Sequence, residues 1–275
     1  MTTSSALNTD AQTLSDWESL LALAAGTVPW PGAGPHSALL DLFLPLCVPP
    51  PAELPWVVGH VGQSLDGFIA TAAGDSYYVT GPDNILHLHR LRALCDAVVV
   101  GAGTVQTDNP RLTTRLVSGT NPLRVVIDPS RRLNAERHVF TDNAASTVRV
   151  VRSGFHGGTA IAVEELAVEG DAQGLSLQAL LHALRVRGCQ RVFVEGGGLT
   201  VSAFMRAGLM DRLHVAVAPL LIGEGRPALQ LPGVEPLALC MRPGTRVFGM
   251  GADVLWDCDL RASAEPVPAG LQRLR

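Results

Sequence analysis

With 275 residues, 47% of them hydrophobic and 17% charged, and a net charge of −4, the chain fits one large domain or one domain plus an appendage, and is neither disordered nor highly charged. All 21 basic residues are arginine, which excludes a Schiff-base lysine, a lysine general base and a P-loop lysine; scattered arginines on an acidic chain also leave no basic patch for nucleic acid. The five cysteines, Cys47, Cys95, Cys189, Cys240 and Cys258, are odd in number and form no C-x-x-C pair, and no apolar run reaches the roughly 18 residues of a membrane span. MTTSSALNTD lacks a basic segment leading into an apolar core, so a cytoplasmic protein with free thiols and no membrane contact is expected.

Residues 1–54 read as a helical appendage and linker. Ser15 with Glu18 suggests a capping box opening a helix through Leu23, Pro29 to Pro35 break the chain, Ala38 to Leu44 suit a second short helix, and Pro49-Pro50-Pro51 form a semi-rigid linker. From Pro55 the pattern alternates between strands and helices. Strands are expected at Pro55–Val61, Phe68–Thr71, Ala97–Val100, Leu123–Ile127, Val148–Val151, Arg191–Val194 and Leu213–Ala218. Helices are expected at Pro82–Cys95, from Ser176 to Arg187 with Gly188 as the stop, and from the glycines at 196–198 to Ala207. Arg246–Met250 and Asp253–Leu260 read as a hairpin across Gly251, and 263–275 as a frayed tail. The expected fold is α/β, a mixed and mostly parallel sheet with helices on both faces, in a domain spanning 55–262.

Four segments stand out within that domain. Gln63-Ser-Leu-Asp-Gly67 follows the first strand, and its plain reading is a hairpin turn. Gly74 to Gly81 is a polar loop holding the chain's two tyrosines, either of which could stack on a planar ring. Val100-Gly-Ala-Gly-Thr104, followed by Asp108 to Arg115, has glycines that permit close backbone approach, but Gln106 breaks any G-x-G-x-x-G fingerprint. Val194-Glu-Gly-Gly-Gly-Leu199 sits at a strand-to-helix junction, where amides can face a diphosphate or simply make a tight connection. His87 and His89 lie two apart on a helix and no zinc-ligand spacing occurs, so no metal is expected.

In order and at these spacings, SLDGFIAT, GDSYYVTGP, HRLRALCDAVVVGAGTVQTDNPRLTTR, NPLRVVID, VEGGG and LMDRLHVAVAPLLIG resemble the C-terminal reductase domain of the riboflavin-biosynthesis deaminase/reductase family over roughly 55–260, here without a deaminase. The resemblance implies a dihydrofolate-reductase-like fold and NADPH-dependent reduction of 5-amino-6-(5-phosphoribosylamino)uracil to its ribitylamino product. It also implies cofactor contacts at Gly62, Tyr78, Gly103, Thr104, Asp108 and the run Gly196, Gly197, Gly198, Leu199 and Thr200. Substrate contacts are implied at Ser76, Arg92, Leu112, Arg115 and Glu195, with Arg92 and Arg115 clamping the sugar phosphate and Glu195 and Asp108 as the catalytic candidates.

Three positions depart from the family. His60 stands where a lysine usually precedes SLDG and is taken as substrate-binding, and Tyr78 replaces a tryptophan. Pro129 lacks the usual hydroxyl, leaving Ser130, Arg131 or Arg132 to take the 2′-phosphate. A homodimer is expected, paired across a sheet edge along Asp253–Leu260. The alternatives are a reductase of another pterin or pyrimidine, dihydrofolate included, and a non-catalytic NADPH-binding protein.

Overall fold

The computed structural model describes residues 11–29, 36–48, 52–77, 79–171 and 174–263, and the chain divides into two compact units, 1–51 and 52–275. The first unit holds α1 (Ala11–Ala24) and α2 (Ala38–Cys47). Trp17 and Phe43 join them edge to face, with ring centroids 6.1 Å apart. Ser37 caps α2 by accepting a bond from the Leu40 amide at 3.3 Å. Ser15 does not cap α1: the helix begins at Ala11, and the Ser15 carbonyl accepts from the Ser19 hydroxyl.

The second unit runs β1 (Trp56–Ser64), β2 (Phe68–Thr71), α3 (Pro82–Leu94), β3 (Ala97–Gly101), α4 (Ala102–Asp108), β4 (Leu123–Ile127), α5 (His138–Thr141), β5 (Thr147–Arg152) and β6 (Glu164–Val168). It continues through β7 (Gly170–Asp171), β8 (Gly174–Leu175), α6 (Leu177–Val186), β9 (Arg191–Glu195), α7 (Gly198–Arg206), β10 (Arg212–Ala218), β11 (Gly225–Pro227), β12 (Pro243–Met250) and β13 (Asp253–Ser263). Among the described residues nine strands form one sheet in the order β12-β13-β10-β1-β9-β3-β4-β5-β6. From β10 to β6 every neighbouring pair is parallel, whereas β13 and β12 add antiparallel at the β10 edge. The chain moves one way across the sheet from β1 to β6 and returns through β9 to β10. Right-handed crossovers therefore set α3 and α4 on one face and α6 and α7 on the other.

Val57, Val61, Val99, Val125, Val150, Val192 and Val194 alternate toward α6 and α7, where Leu180, Leu181, Leu184, Val201 and Phe204 complete a fully apolar core. α6 starts and stops as its sequence dictates: Ser176 accepts from the Ala179 amide at 3.2 Å, and Gly188 follows at φ 88°.

The hairpin reading of Asp66-Gly67 fails. β2 pairs with β11 in a separate two-stranded sheet, and the Asp66 carboxylate turns to accept from the amides of Ile222 and Gly223, at 3.0 and 2.6 Å. The expected edge at Asp253–Leu260 is also displaced, because β13 lies between β10 and β12 and the edge strand is β12.

Candidate active site

The face under α3 carries a polar row beside buried Val58, Phe193 and Val98, where the opposite face is apolar. Register places His60 of β1 beside Glu195 of β9 on one side and His214 of β10 on the other; His214 then faces Asp257 of β13, and Asp257 faces Arg246 of β12. Strand alternation puts this row of five side chains on one face. α3 answers it from above. The Asn84 side-chain oxygen lies 2.8 Å from His60 Nε2, His87 Nε2 lies 2.9 Å from His214 Nδ1, and Arg92 reaches Glu195.

His60 is neutral. Burial first, and the neighbouring His214 second, push its pKa down to about 3 against the opposing bond to Asn84. The Asn84 amide nitrogen donates to Thr80 Oγ1 at 2.8 Å, so its oxygen is left to accept the His60 Nε2–H, and Nδ1 is the acceptor that remains. His89 is also driven to about 3 by burial and then by Arg92 and Arg115, and its Nδ1 accepts the Arg115 backbone amide at 3.0 Å.

Glu195 ends β9 at the mouth of a cleft of about 940 Å³ that His60, Gly62, Ser76, Thr104, Asp108 and Gly196 to Gly198 also line. Arg92 Nε donates to its Oε2 at 2.7 Å, a second guanidinium nitrogen bonds Oε1, and Nη1 donates to the Thr113 carbonyl at 3.1 Å. This is a bidentate pair with both partners buried. Arg92 is thereby committed to holding Glu195 and does not line the cleft as a phosphate clamp. Arg115 has no carboxylate within ion-pair distance among the described residues, and its side chain makes one long bond there, 3.4 Å, to Thr113 Oγ1. Burial, then Arg92 and Arg111, lower its pKa against the opposing charge of Glu195.

A narrower cleft of about 440 Å³ opens from the same residues toward α4 and α7. Gly196 and Gly197, at φ 68° and 69°, turn the chain through a conformation that disfavours side chains, so α7 starts directly at the end of β9. A Cβ at Gly197 would lie 2.6 Å from Thr104 Oγ1, and one at Gly101 would lie 2.6 Å from Thr200 Oγ1. The two glycines thus clear space for two hydroxyls beside the first turn of α7, a cradle of N–H and O–H donors suited to phosphate oxygens.

Of the other expected cofactor residues, Gly103, Leu199 and Thr200 line this cleft, as does Asp108, whose pKa is raised by burial against the opposing charge of Arg226. Tyr78 lies outside the described residues.

Five expected residues line neither cleft: Arg92 and Arg115, described above, and Leu112, Ser130 and Arg131. Leu112 is buried at φ 56°, Ser130 is exposed outside them, and Arg131 turns away to pair with Glu165 at 2.8 Å and with the Phe155 carbonyl. Arg132 does line the narrow cleft. Sequence reading missed Asn84, His214 and Arg226, because each meets the site through pairing between distant strands or through a helix face. Only the unusual run of histidines and arginines on α3 hinted at a polar underside. Among the described residues no group of three or more His, Cys, Asp or Glu could hold a metal ion, and no helix is long and apolar enough to cross a membrane.

The sequence profile described as RibD C-terminal domain matches residues 55–247. The 2,5-diamino-6-ribosylamino-4(3H)-pyrimidinone 5′-phosphate reductase of Methanothermobacter thermautotrophicus is 34% identical over 209 residues, covering 73% of this chain and 96% of that protein. The riboflavin biosynthesis protein RibD of Bacillus amyloliquefaciens is 35% identical over 176 residues, 62% of this chain; the aligned part is 47% of that longer relative, about half its length. The crystal structure of a Thermotoga maritima diaminohydroxyphosphoribosylaminopyrimidine deaminase/5-amino-6-(5-phosphoribosylamino)uracil reductase superposes with a TM-score of 0.66 at 27% identity, over 81% of this chain and 60% of that one. With a profile match over most of its length and a relative matched almost end to end, the chain belongs to the RibD C-terminal domain family.

Proposed function

We propose that the protein is an NADPH-dependent reductase of a phosphoribosylaminopyrimidine, converting 5-amino-6-(5-phosphoribosylamino)uracil to its ribitylamino product. The observation that carries this reading is the continuity of the two clefts, with Glu195 and His60 at one end and the glycine junction with Thr104, Thr200 and Arg132 at the other. When bound, the cofactor supplies the hydride. Glu195, fixed by Arg92, accepts N–H groups of the pyrimidine, and neutral His60 offers Nδ1 beside it. Arg115 attracts the sugar phosphate. The glycine junction and the two threonine hydroxyls take the diphosphate, and Arg132, with its charge in the cleft, takes the 2′-phosphate in place of Arg131. The near end-to-end match to the Methanothermobacter thermautotrophicus reductase favours a second substrate reading, the 2,5-diamino pyrimidinone.

NADPH oxidation followed with each ribosylaminopyrimidine phosphate and with dihydrofolate tests the proposal. Turnover is expected with a ribosylamino substrate and none with dihydrofolate; the reverse would overturn it.

The enzyme works as a homodimer in the cytoplasm. Five free cysteines suit a reducing compartment. Trp256 on β13, and Leu237, Leu239 and Met241 in the segment leading into β12, are 41 to 76% exposed, apolar side chains that pairing would cover. Light scattering should give twice the chain mass, and Trp256→Glu should shift it toward the monomer; a monomeric wild type at micromolar concentration would refute the dimer.

A further inference from the structure

The buried arginines of the second unit are answered by carboxylates: Arg92 by Glu195, Arg124 by Asp142, Arg149 by Asp128 and Arg212 by Asp257. Arg226 is not. It is exposed, lines the narrow cleft, and has no carboxylate within 4.0 Å and no side-chain hydrogen bond among the described residues.

Its backbone, by contrast, is fixed on every side. Arg226 pairs with Ala70 across the small sheet, the Ala228 amide donates to the Gly67 carbonyl at 2.9 Å, and the Gln230 amide donates to Ser202 Oγ at 2.8 Å. Gly198 packs so closely on this segment that a Cβ there would collide with the Ala228 carbonyl oxygen, which sets the root of Arg226 against the first turn of α7. The guanidinium extends to Gly74, where a Cβ would lie 2.9 Å from Nη2. Gly74, at φ 94°, thus leaves the cation room above the cleft. Asp108 is near enough for the two charges to influence each other but beyond ion-pair distance.

A guanidinium with its donors unsatisfied, on a backbone held by strand pairing, beside the N–H groups that begin a nine-residue helix, matches the planar, bidentate demand of a phosphate oxygen pair. We propose that Arg226 grips the diphosphate of the dinucleotide, completing from β11 the cradle that Gly197 to Thr200 begin. The assignment rests on the cofactor reading given above and separates the phosphates by residue: Arg226 for the diphosphate, Arg132 for the 2′-phosphate, Arg115 for the substrate.

The diphosphate is common to NADH and NADPH, whereas the 2′-phosphate is not, so binding titrations of the two cofactors separate these roles. Arg226→Gln should weaken both by the same factor, about tenfold, as expected for a lost charge-assisted pair at a partly exposed site. Arg132→Gln should weaken NADPH alone, and Arg226→Lys, keeping the charge but not the fork, should fall between wild type and Arg226→Gln. If the wild type binds a cofactor and Arg226→Gln binds it equally well, the assignment is overturned while the cofactor reading stands. If Arg226→Gln raises only the KM of the phosphorylated substrate, Arg226 belongs to the substrate. If the wild type binds neither dinucleotide, the cofactor reading falls and takes this assignment with it.

Discussion

Glu195 and Arg92 hold each other so that one can serve the substrate. A carboxylate taken by two guanidinium N–H groups still has a lone pair on each oxygen, and the fork fixes the plane in which those lone pairs lie. This changes what a substitution does. Glu195→Gln removes the charge that Arg92 balances and replaces one acceptor by a donor aimed at a guanidinium, so the carbonyl that remains is no longer oriented. Charge-assisted bonds are worth about 1.5–3 kcal/mol, so kcat/KM should fall by about 10- to 200-fold, with NADPH affinity unchanged because the glycine amides are untouched. Steady-state kinetics paired with a cofactor titration checks this. Lost NADPH binding with normal turnover at saturating cofactor would move Glu195 to the cofactor site.

Elements built from local signals were legible in the sequence, and those built from distant pairing were not. α6 announced both ends through Ser176 and Gly188, and valine-rich β3 and β4 through their apolar runs, since cap, stop and buried strand are each encoded within a few residues. β11 could not be seen: three residues containing a glycine and a proline become a strand only because β2 lies alongside. For the same reason the Asp66-Gly67 turn looked like a hairpin until its carboxylate was found holding the loop after β10. The glycine junction was legible as residues but not as a contact. Gly198→Ala drives a methyl into the Ala228 carbonyl, a backbone atom that cannot rotate away, so α7 and β11 must separate. Overpacking of this kind costs about 1–3 kcal/mol, readable as a lower urea midpoint, and cofactor affinity should drop with it because the cradle opens. Wild-type stability in Gly198→Ala would show that the two segments are not in register as described.

At the scale of the whole sheet, one face is apolar and the other holds a buried row of histidines and charged groups, and that row makes the fold sensitive to acid. His60, His87 and His89 lie beneath or within α3, and burial is the largest cause holding each below the ordinary histidine value, His60 and His89 at about 3 and His87 well below 6.5. The groups around them are of both signs: His214, Arg90, Arg92 and Arg115 resist protonation of one or another imidazole, while Asp257 stands behind His214. A histidine with a depressed folded pKa is neutral in the native state while the unfolded chain takes up a proton below about pH 6.5, so the unfolded state binds more protons throughout that range. Stability is therefore full above 6.5 and is lost as pH falls toward 3, with a slope that approaches about 1.4 kcal/mol per pH unit for each such histidine. Asp108 and Asp211, whose pKa values are raised by burial, oppose the trend only near the carboxylate range, and Asp257, held low partly by its bonds to His214 and Arg212, joins it there. Urea unfolding at a series of pH values from 7.5 to 4 should show a steep fall beginning above pH 5, before the carboxylates titrate. His60→Gln, which keeps a neutral polar side chain against Asn84, should reduce the slope by one proton. A flat profile down to pH 5, or an unchanged slope in His60→Gln, would mean that the buried histidines are already protonated in the native state, and that the acceptor beside Glu195 is not there.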